Sequence, residues 1–75
     1  MRNDAILIER ARQYEAAVYA EAIRMTPSLV GTIVDPYQEA LRVAAHRLVP
    51  KEWLWRIEPT YGGSAVFFIT HYAGT

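Results

Sequence analysis

The sequence contains no cysteine, which excludes disulfide bonds and zinc sites built from thiolates. Its only two histidines, His46 and His71, stand 25 residues apart and would need carboxylate ligands to hold zinc. We therefore expect neither a metal site nor a bound cofactor.

The sequence also lacks an excess of charge, because eight basic residues balance eight acidic ones. Proteins that bind nucleic acid through its phosphates usually carry a clear basic excess, so a nucleic-acid partner is not favoured. No run of about 18 apolar residues is present, which argues against a transmembrane helix. Asp4, Glu9 and Arg10 interrupt the apolar N-terminus and make it unlike a signal peptide. These features predict a cytoplasmic protein that does not bind membranes.

Recognisable catalytic motifs are missing as well. The only serines, Ser28 and Ser64, do not lie in a GxSxG elbow, and the chain has no GxGxxG, Walker, HExxH or EF-hand pattern. The Gly-Gly-Ser at 62–64 is more typical of a turn than of an active site. We therefore predict that the protein is not an enzyme.

The short length limits the fold to one domain, residues 1–75. A chain of this size buries only about 60% of its unfolded surface, so small folds are commonly supplemented by disulfides, a metal or a partner chain. Since thiols are absent, the remaining options are oligomerisation and an unusually apolar core. A hydrophobic content of 52% is sufficient for either.

Residues 4–25 are predicted to form a long amphipathic helix, capped by Asn3 or Asp4. Apolar residues recur there at steps of three and four: Leu7, Ala11, Tyr14, Val18, Ala22 and Met25. Ile8 and Tyr19 widen this stripe. We expect the helix to end near Met25, because Pro27 disfavours helical geometry at the residue before it.

Two further elements are predicted in the middle of the chain. Residues 29–34, LVGTIV, resemble a short β-strand, with a brief helical turn after Pro27 as the alternative. The sequence DPYQ at 35–38 then predicts a helix start, with Asp35 as N-cap and Pro36 in the first helical position. This second helix is expected to cover 36–49.

The C-terminal third predicts a β-hairpin. Residues 52–58 alternate, placing Trp53, Trp55 and Ile57 on one face, which we expect to be buried under the helices. The turn falls at 59–64, and the second strand, 65–72, is apolar on both faces and should be the more buried of the two.

These elements predict an α+β fold in which both helices pack on one face of a small mixed or antiparallel sheet. If 29–34 were a third strand, the strand order would be 29–34, 65–72, 52–58. In either arrangement the chain contains no element to cover the other face of the sheet. Phe67 and Phe68 point to opposite faces, so one should anchor the helices and the other an interface.

Candidate binding residues come from a local charge imbalance and from aromatic residues. Residues 42–56 contain four basic residues against Glu52 alone, a net of +3, although a purely solvated surface would account for this too. Tyr61 at the predicted turn is hard to bury. The candidates for partner binding are Arg42, His46, Arg47, Lys51, Arg56, Tyr61 and Phe68.

Three functions are compatible with this pattern. The first is a non-enzymatic protein-interaction module that binds and occludes a larger protein, of a size common among inhibitors and accessory proteins of phages and other mobile elements. The second is a nucleic-acid-binding regulator of winged-helix-like layout, with helix 36–49 in the groove and the turn at 60–64 as the wing. The third is a subunit of a dimeric small-molecule-binding protein or enzyme. The expected partners are another protein, a second copy of the chain, or both.

Overall fold

The computed structural model describes residues 2–69, with side chains from residue 5 onward. Its elements are α1 (Arg2–Leu29), α2 (Pro36–Leu48), β1 (Trp55–Thr60) and β2 (Gly63–Phe68). The two strands form an antiparallel hairpin against which the helices pack, which confirms the predicted α+β class. The described part of the sheet has two antiparallel strands, so of the two expected alternatives it is the antiparallel sheet without a third strand or crossover.

The predicted stripe of α1 faces the interior. Val18 and Ala22 are fully buried, and Tyr14, Tyr19 and Met25 are partly buried against the core. Ile8 is largely exposed and does not widen the buried stripe.

α1 continues to Leu29, so the prediction that it ends near Met25 was wrong. Pro27 lies inside the helix and lacks the N–H that would bond to the carbonyl of Ile23. Ile23 is 64% exposed, so this side of the helix faces water, which can hydrate the unpaired carbonyl. The hydroxyl of Thr26 bonds to the carbonyl four residues earlier at 2.6 Å and supports the same turn.

The predicted strand at 29–34 is also wrong, because the segment after Leu29 consists of turns and bends. Gly31 has a φ of 89°, the left-handed conformation that commonly closes a helix C-terminus. Both the backbone N–H and the hydroxyl of Thr32 donate to the carbonyl of Leu29, at 3.1 and 2.8 Å. The segment therefore caps α1, which is closer to the alternative of a helical turn.

α2 begins where the sequence predicted. The side chain of Asp35 accepts a hydrogen bond from the backbone N–H of Gln38 at 3.0 Å, and Pro36 opens the helix. Val49, the last residue of the predicted range, is the C-cap, with its N–H bonded to the carbonyl of Ala45 at 3.0 Å.

In the hairpin, the first strand begins later and the turn is shorter than predicted. β1 starts at Trp55 rather than at residue 52, because the preceding residues form a turn closed by a 3.0 Å bond from the N–H of Trp53 to the carbonyl of Pro50. The connecting turn is only Tyr61–Gly62, and Gly63 follows it with a φ of 137°. The last residues of the predicted strand 65–72, including His71, lie outside the described residues.

The core forms where α1, α2 and the inner face of the hairpin meet. Its largest fully buried side chains are Leu41 of α2, Val18 of α1 and Val66 of β2. Four alternating hairpin residues line the inner face: Trp55, Ile57, Val66 and Phe68. β2 contributes Val66, which is the one buried strand residue in the described hairpin.

Candidate functional site

The face of the hairpin that points away from the helices is the first candidate surface. We call it the outer face, and its residues are Leu54, Arg56, Glu58, Ala65, Phe67 and Ile69. Leu54 is 50% exposed and Phe67 is 42% exposed. No element within residues 2–69 covers this face.

Leu54 and Phe67 are close neighbours on the outer face. The N–H of Ile69 bonds to the carbonyl of Leu54 at 3.0 Å, which extends the ladder by one residue pair beyond the strand ends. Phe67 pairs with Arg56, so Leu54 and Phe67 are diagonal neighbours, a spacing that large side chains bridge. They form a small apolar centre.

Charged residues border this apolar centre. Arg56 and Glu58 alternate along β1 and form an ion pair in which Nε and Oε2 are 2.6 Å apart. Both side chains are about half exposed, so the pair contributes little to stability. It does place one positive and one negative group on the outer face.

Phe68, one of the seven candidates for partner binding, lies on the opposite face. Its ring packs edge-to-face against Trp53, with centroids 5.8 Å apart, and it contacts the core. The structure thus assigns Phe68 to the helices and Phe67 to the exposed surface.

Tyr61 occupies the tip of the hairpin and is fully exposed, as its position in the turn predicted. Leu54 and Ile69 lie at the other end of the two strands. Tyr61 is therefore separated from the apolar centre by the length of the hairpin.

The two tryptophans face the helices, as expected, and are partly buried there. Tyr14 of α1 packs edge-to-face on Trp53 at 5.1 Å, and His46 of α2 packs in the same way on Trp55 at 4.9 Å. Beside them lies an open groove with a volume of about 520 Å³. The groove is lined by His46, Val49, Pro50, Lys51, Trp53, Leu54 and Trp55.

Leu54 belongs to both surfaces, because it lines the groove and contributes to the outer face. Lys51 supplies an ammonium group among the residues that line the groove, His46 an imidazole and the two tryptophans indole N–H groups, and no carboxylate lines it. Lys51 forms no ion pair with the described side chains, those of residues 5–69. The groove therefore combines indole surface with an available positive charge.

The predicted basic patch is divided by the structure. Arg42 and Arg47 are five positions apart on α2, which places them about 140° apart around the helix axis. Arg42 pairs with Glu39 at 3.4 Å, and Arg47 pairs with Glu21 of α1 at 3.5 Å. Acidic neighbours thus offset most of the local excess of charge.

Glu21 connects the two helices electrostatically. Its carboxylate accepts hydrogen bonds from Arg24 and also contacts Arg47, and the bond with Arg24 is the main reason that the pKa of Glu21 lies below its usual range. The same bond raises the pKa of Arg24. Elsewhere, burial is the main cause of a raised pKa of Tyr37.

The candidate binding residues named from the sequence did not include Leu54 or Phe67, although one of Phe67 and Phe68 was expected at an interface. For Leu54 the available signal was alternation in the first strand, which places it opposite the tryptophan face. For Phe67 the sequence left undetermined which of the two phenylalanines points away from the helices, because this depends on the strand register.

Among the side chains of residues 5–69, no cluster of three or more histidine, aspartate or glutamate residues is arranged to hold a metal ion. The helices of this part of the chain are too polar or too short to cross a membrane. The chain matches no protein-family model, and neither the curated proteins nor the solved structures contain a significant match.

Proposed function

We propose that the protein is a non-enzymatic interaction module that docks on a larger protein through the outer face of its hairpin and the adjoining groove. The observation that supports this most strongly is the exposure of Phe67 and Leu54 side by side on a face that the described chain leaves uncovered. Exposed apolar clusters with polar borders are typical of protein-interaction sites.

The composition of this surface fits the usual anatomy of an interface. Large apolar side chains form its centre, while Arg56, Glu58 and Lys51 stand at the border. In such interfaces the central apolar and aromatic residues supply most of the affinity, and the border charges mainly affect the association rate.

The groove indicates the chemistry of the partner. Trp53, Trp55 and Leu54 offer apolar contact, and Lys51 offers a positive charge at the same site. A partner segment that carries an apolar side chain next to a carboxylate is complementary to this arrangement. Binding of this kind would occlude the partner's own surface, the action proposed for a small inhibitor or accessory protein of the phage or mobile-element type.

The central experiment is affinity capture with the purified protein, followed by a binding measurement with the captured partner. Phe67→Ser should remain folded, because the side chain lies outside the core, and should lose most of the binding. Ile23→Ser is the control, since Ile23 is also a large apolar residue at the surface, 64% exposed against 42% for Phe67, but lies on α1. Equal binding by both variants, with folding verified by circular dichroism, would reject the outer face as the docking surface.

Charge at the groove is tested separately. Lys51→Glu should slow association and reverse its dependence on ionic strength, whereas Arg42→Glu should have a weaker effect, because Glu39 already offsets that charge. An identical response of the two variants would argue against a role for the groove.

A separate experiment tests the nucleic-acid-binding alternative. A mobility shift with short duplex DNA at low salt, sensitive to Arg42→Glu, would favour a nucleic-acid-binding role instead. The Glu39–Arg42 pair on the exposed side of α2 works against phosphate binding there.

A further inference from the structure

The hydrogen-bond pattern of the hairpin determines which backbone groups point outward. In an antiparallel pair, residues alternate between positions that bond to the neighbouring strand and positions whose N–H and C=O point away from it. Ile69 and Leu54 bond to each other across the hairpin, so they occupy positions that face the neighbouring strand. Val66 occupies a position that points away from it, since its N–H donates to the hydroxyl of Tyr19 at 2.9 Å. The two observations give the same alternation.

The two edges of the sheet therefore differ. At the β2 edge, Tyr19 of α1 takes up the outward N–H of Val66. At the β1 edge, the alternation turns the N–H and C=O groups of Trp55 and Ile57 outward, where none of the described backbone and side-chain groups bonds to them. Pro59 adds an outward carbonyl but no N–H.

We propose that a second copy of the chain pairs with this edge, β1 against β1 in antiparallel orientation, with Ile57 opposite Ile57 of the second copy. The two hairpins would then form one four-stranded sheet. An open edge with unpaired donors and acceptors is a template for such strand addition.

Hydrogen bonds alone leave two registers equivalent. With Ile57 opposite Ile57, the two isoleucines exchange two bonds, and each Trp55 donates one to the carbonyl of Pro59 in the other copy. A register centred on Arg56 also gives four bonds, between Trp55 and Ile57 of opposite copies. A register centred on Glu58 gives fewer hydrogen bonds between the copies, because Pro59 has no N–H to donate.

The charges of Arg56 and Glu58 distinguish the two registers. In the register centred on Arg56, the two arginines face each other directly, and like charges at opposed positions are destabilising. In the register centred on Ile57, each Arg56 lies opposite Glu58 of the second copy. Because these residues already pair within one strand, the dimer would contain an alternating cluster of four charges on the outer face.

The inner face of the same register is also complementary. Ile57 meets Ile57 of the other copy, and Trp55 meets the ring of Pro59, so apolar groups meet apolar groups. α1 contacts the far edge of the hairpin through Tyr19 and does not cover the β1 edge.

This inference is independent of the proposed docking function, because it rests on the strand edge and not on Phe67. Docking through the outer face is compatible with the dimer, which would present two outer faces side by side, whereas Trp55 lines the groove and also belongs to the proposed dimer contact. A monomeric protein that still captures its partner would reject only the dimer.

The test is a charge swap, with the dissociation constant of the dimer measured by sedimentation or by light scattering across a concentration series. We expect the wild type to dimerise and each single variant, Arg56→Glu or Glu58→Arg, to raise the dissociation constant by about tenfold or more. The double variant Arg56→Glu/Glu58→Arg should restore wild-type affinity. An equimolar mixture of the two single variants should form heterodimers, because all the facing charges are then opposite.

Circular dichroism and thermal unfolding of each variant verify that the fold is retained. A wild type that stays monomeric throughout the series would overturn the proposal, as would single variants that dimerise as tightly as the wild type. Failure of the mixture to associate better than either variant alone would exclude the register. Pro59→Val supplies an independent measurement, since a restored N–H should tighten the dimer, and an unchanged dissociation constant would count against pairing at this edge.

Discussion

The hydroxyl of Tyr19 accepts a hydrogen bond from the backbone N–H of Val66 at 2.9 Å, joining residues 47 positions apart. This contact connects the middle of α1 to the edge of β2. It satisfies a partly buried donor that strand pairing leaves unpaired, and it fixes the hairpin relative to the first helix.

Tyr19→Phe should therefore lower the free energy of unfolding by about 1–2 kcal/mol, because the N–H of Val66, a residue that is 1% exposed, loses its acceptor. Chemical denaturation measures the change. Tyr61→Phe is the matched control, since this hydroxyl is fully exposed at the turn tip and should be neutral. Equal stabilities of the two variants would show that water replaces the tyrosine at no cost.

Leu41→Ala should cost about 2–4 kcal/mol, which is a large part of the stability of a small domain. Leu41 is fully buried at the centre of α2, whereas Arg12 lies on the exposed side of α1. Arg12→Ala should change the free energy of unfolding by less than about 0.5 kcal/mol. Similar losses for the two substitutions would contradict the assignment of helix faces.

Acid should weaken the contact between the helices through Glu21. Because folding lowers the pKa of Glu21, chiefly through its hydrogen bond with Arg24, the folded chain favours the ionised form. This contribution to stability is complete above the ordinary glutamate pKa of about 4.3 and is lost as the pH falls through the lower folded value. Thermal melts of wild type and Glu21→Gln across this range should converge at low pH, and curves that remain parallel would exclude the effect.

Pro27→Ala should raise the free energy of unfolding by about 1–2 kcal/mol, since it restores an N–H that can bond to the carbonyl of Ile23. The greater freedom of the unfolded chain limits the gain. Pro36→Ala is the control, because proline is favoured in the first turn of α2 and its replacement should bring no gain. Thermal denaturation of both variants provides the comparison.

The features predicted correctly from the sequence are those determined by neighbouring residues. Asp35 and Gln38 form a cap three residues apart, and the spacing of Val18 and Ala22 shows the buried side of α1. Gly31 was misinterpreted because β-branched residues surround it, so a helix-ending glycine resembled a weak strand.

The candidate site depended on contacts that are distant in sequence. Phe67 and Phe68 are chemically equivalent in the sequence, and only the pairing of β2 with β1 directs one of them toward the helices. The charge of Arg47 is similarly offset by Glu21, which lies on another helix. The charge and apolar content of a short sequence segment do not show such contacts between distant residues.

Because α1 is longer than the part of it that contacts the core, we expect its two ends to unfold separately. The helix has 28 residues and spans about 42 Å, close to the 45 Å longest dimension of the molecule, yet its contacts with the buried core begin only at Tyr14. The turns before Tyr14 are held mainly by their own backbone bonds, so their amide protons should exchange with solvent through local fraying. Those near Val18 and Ala22 should exchange only when the whole domain unfolds. A single continuous helix thus belongs to two cooperative units.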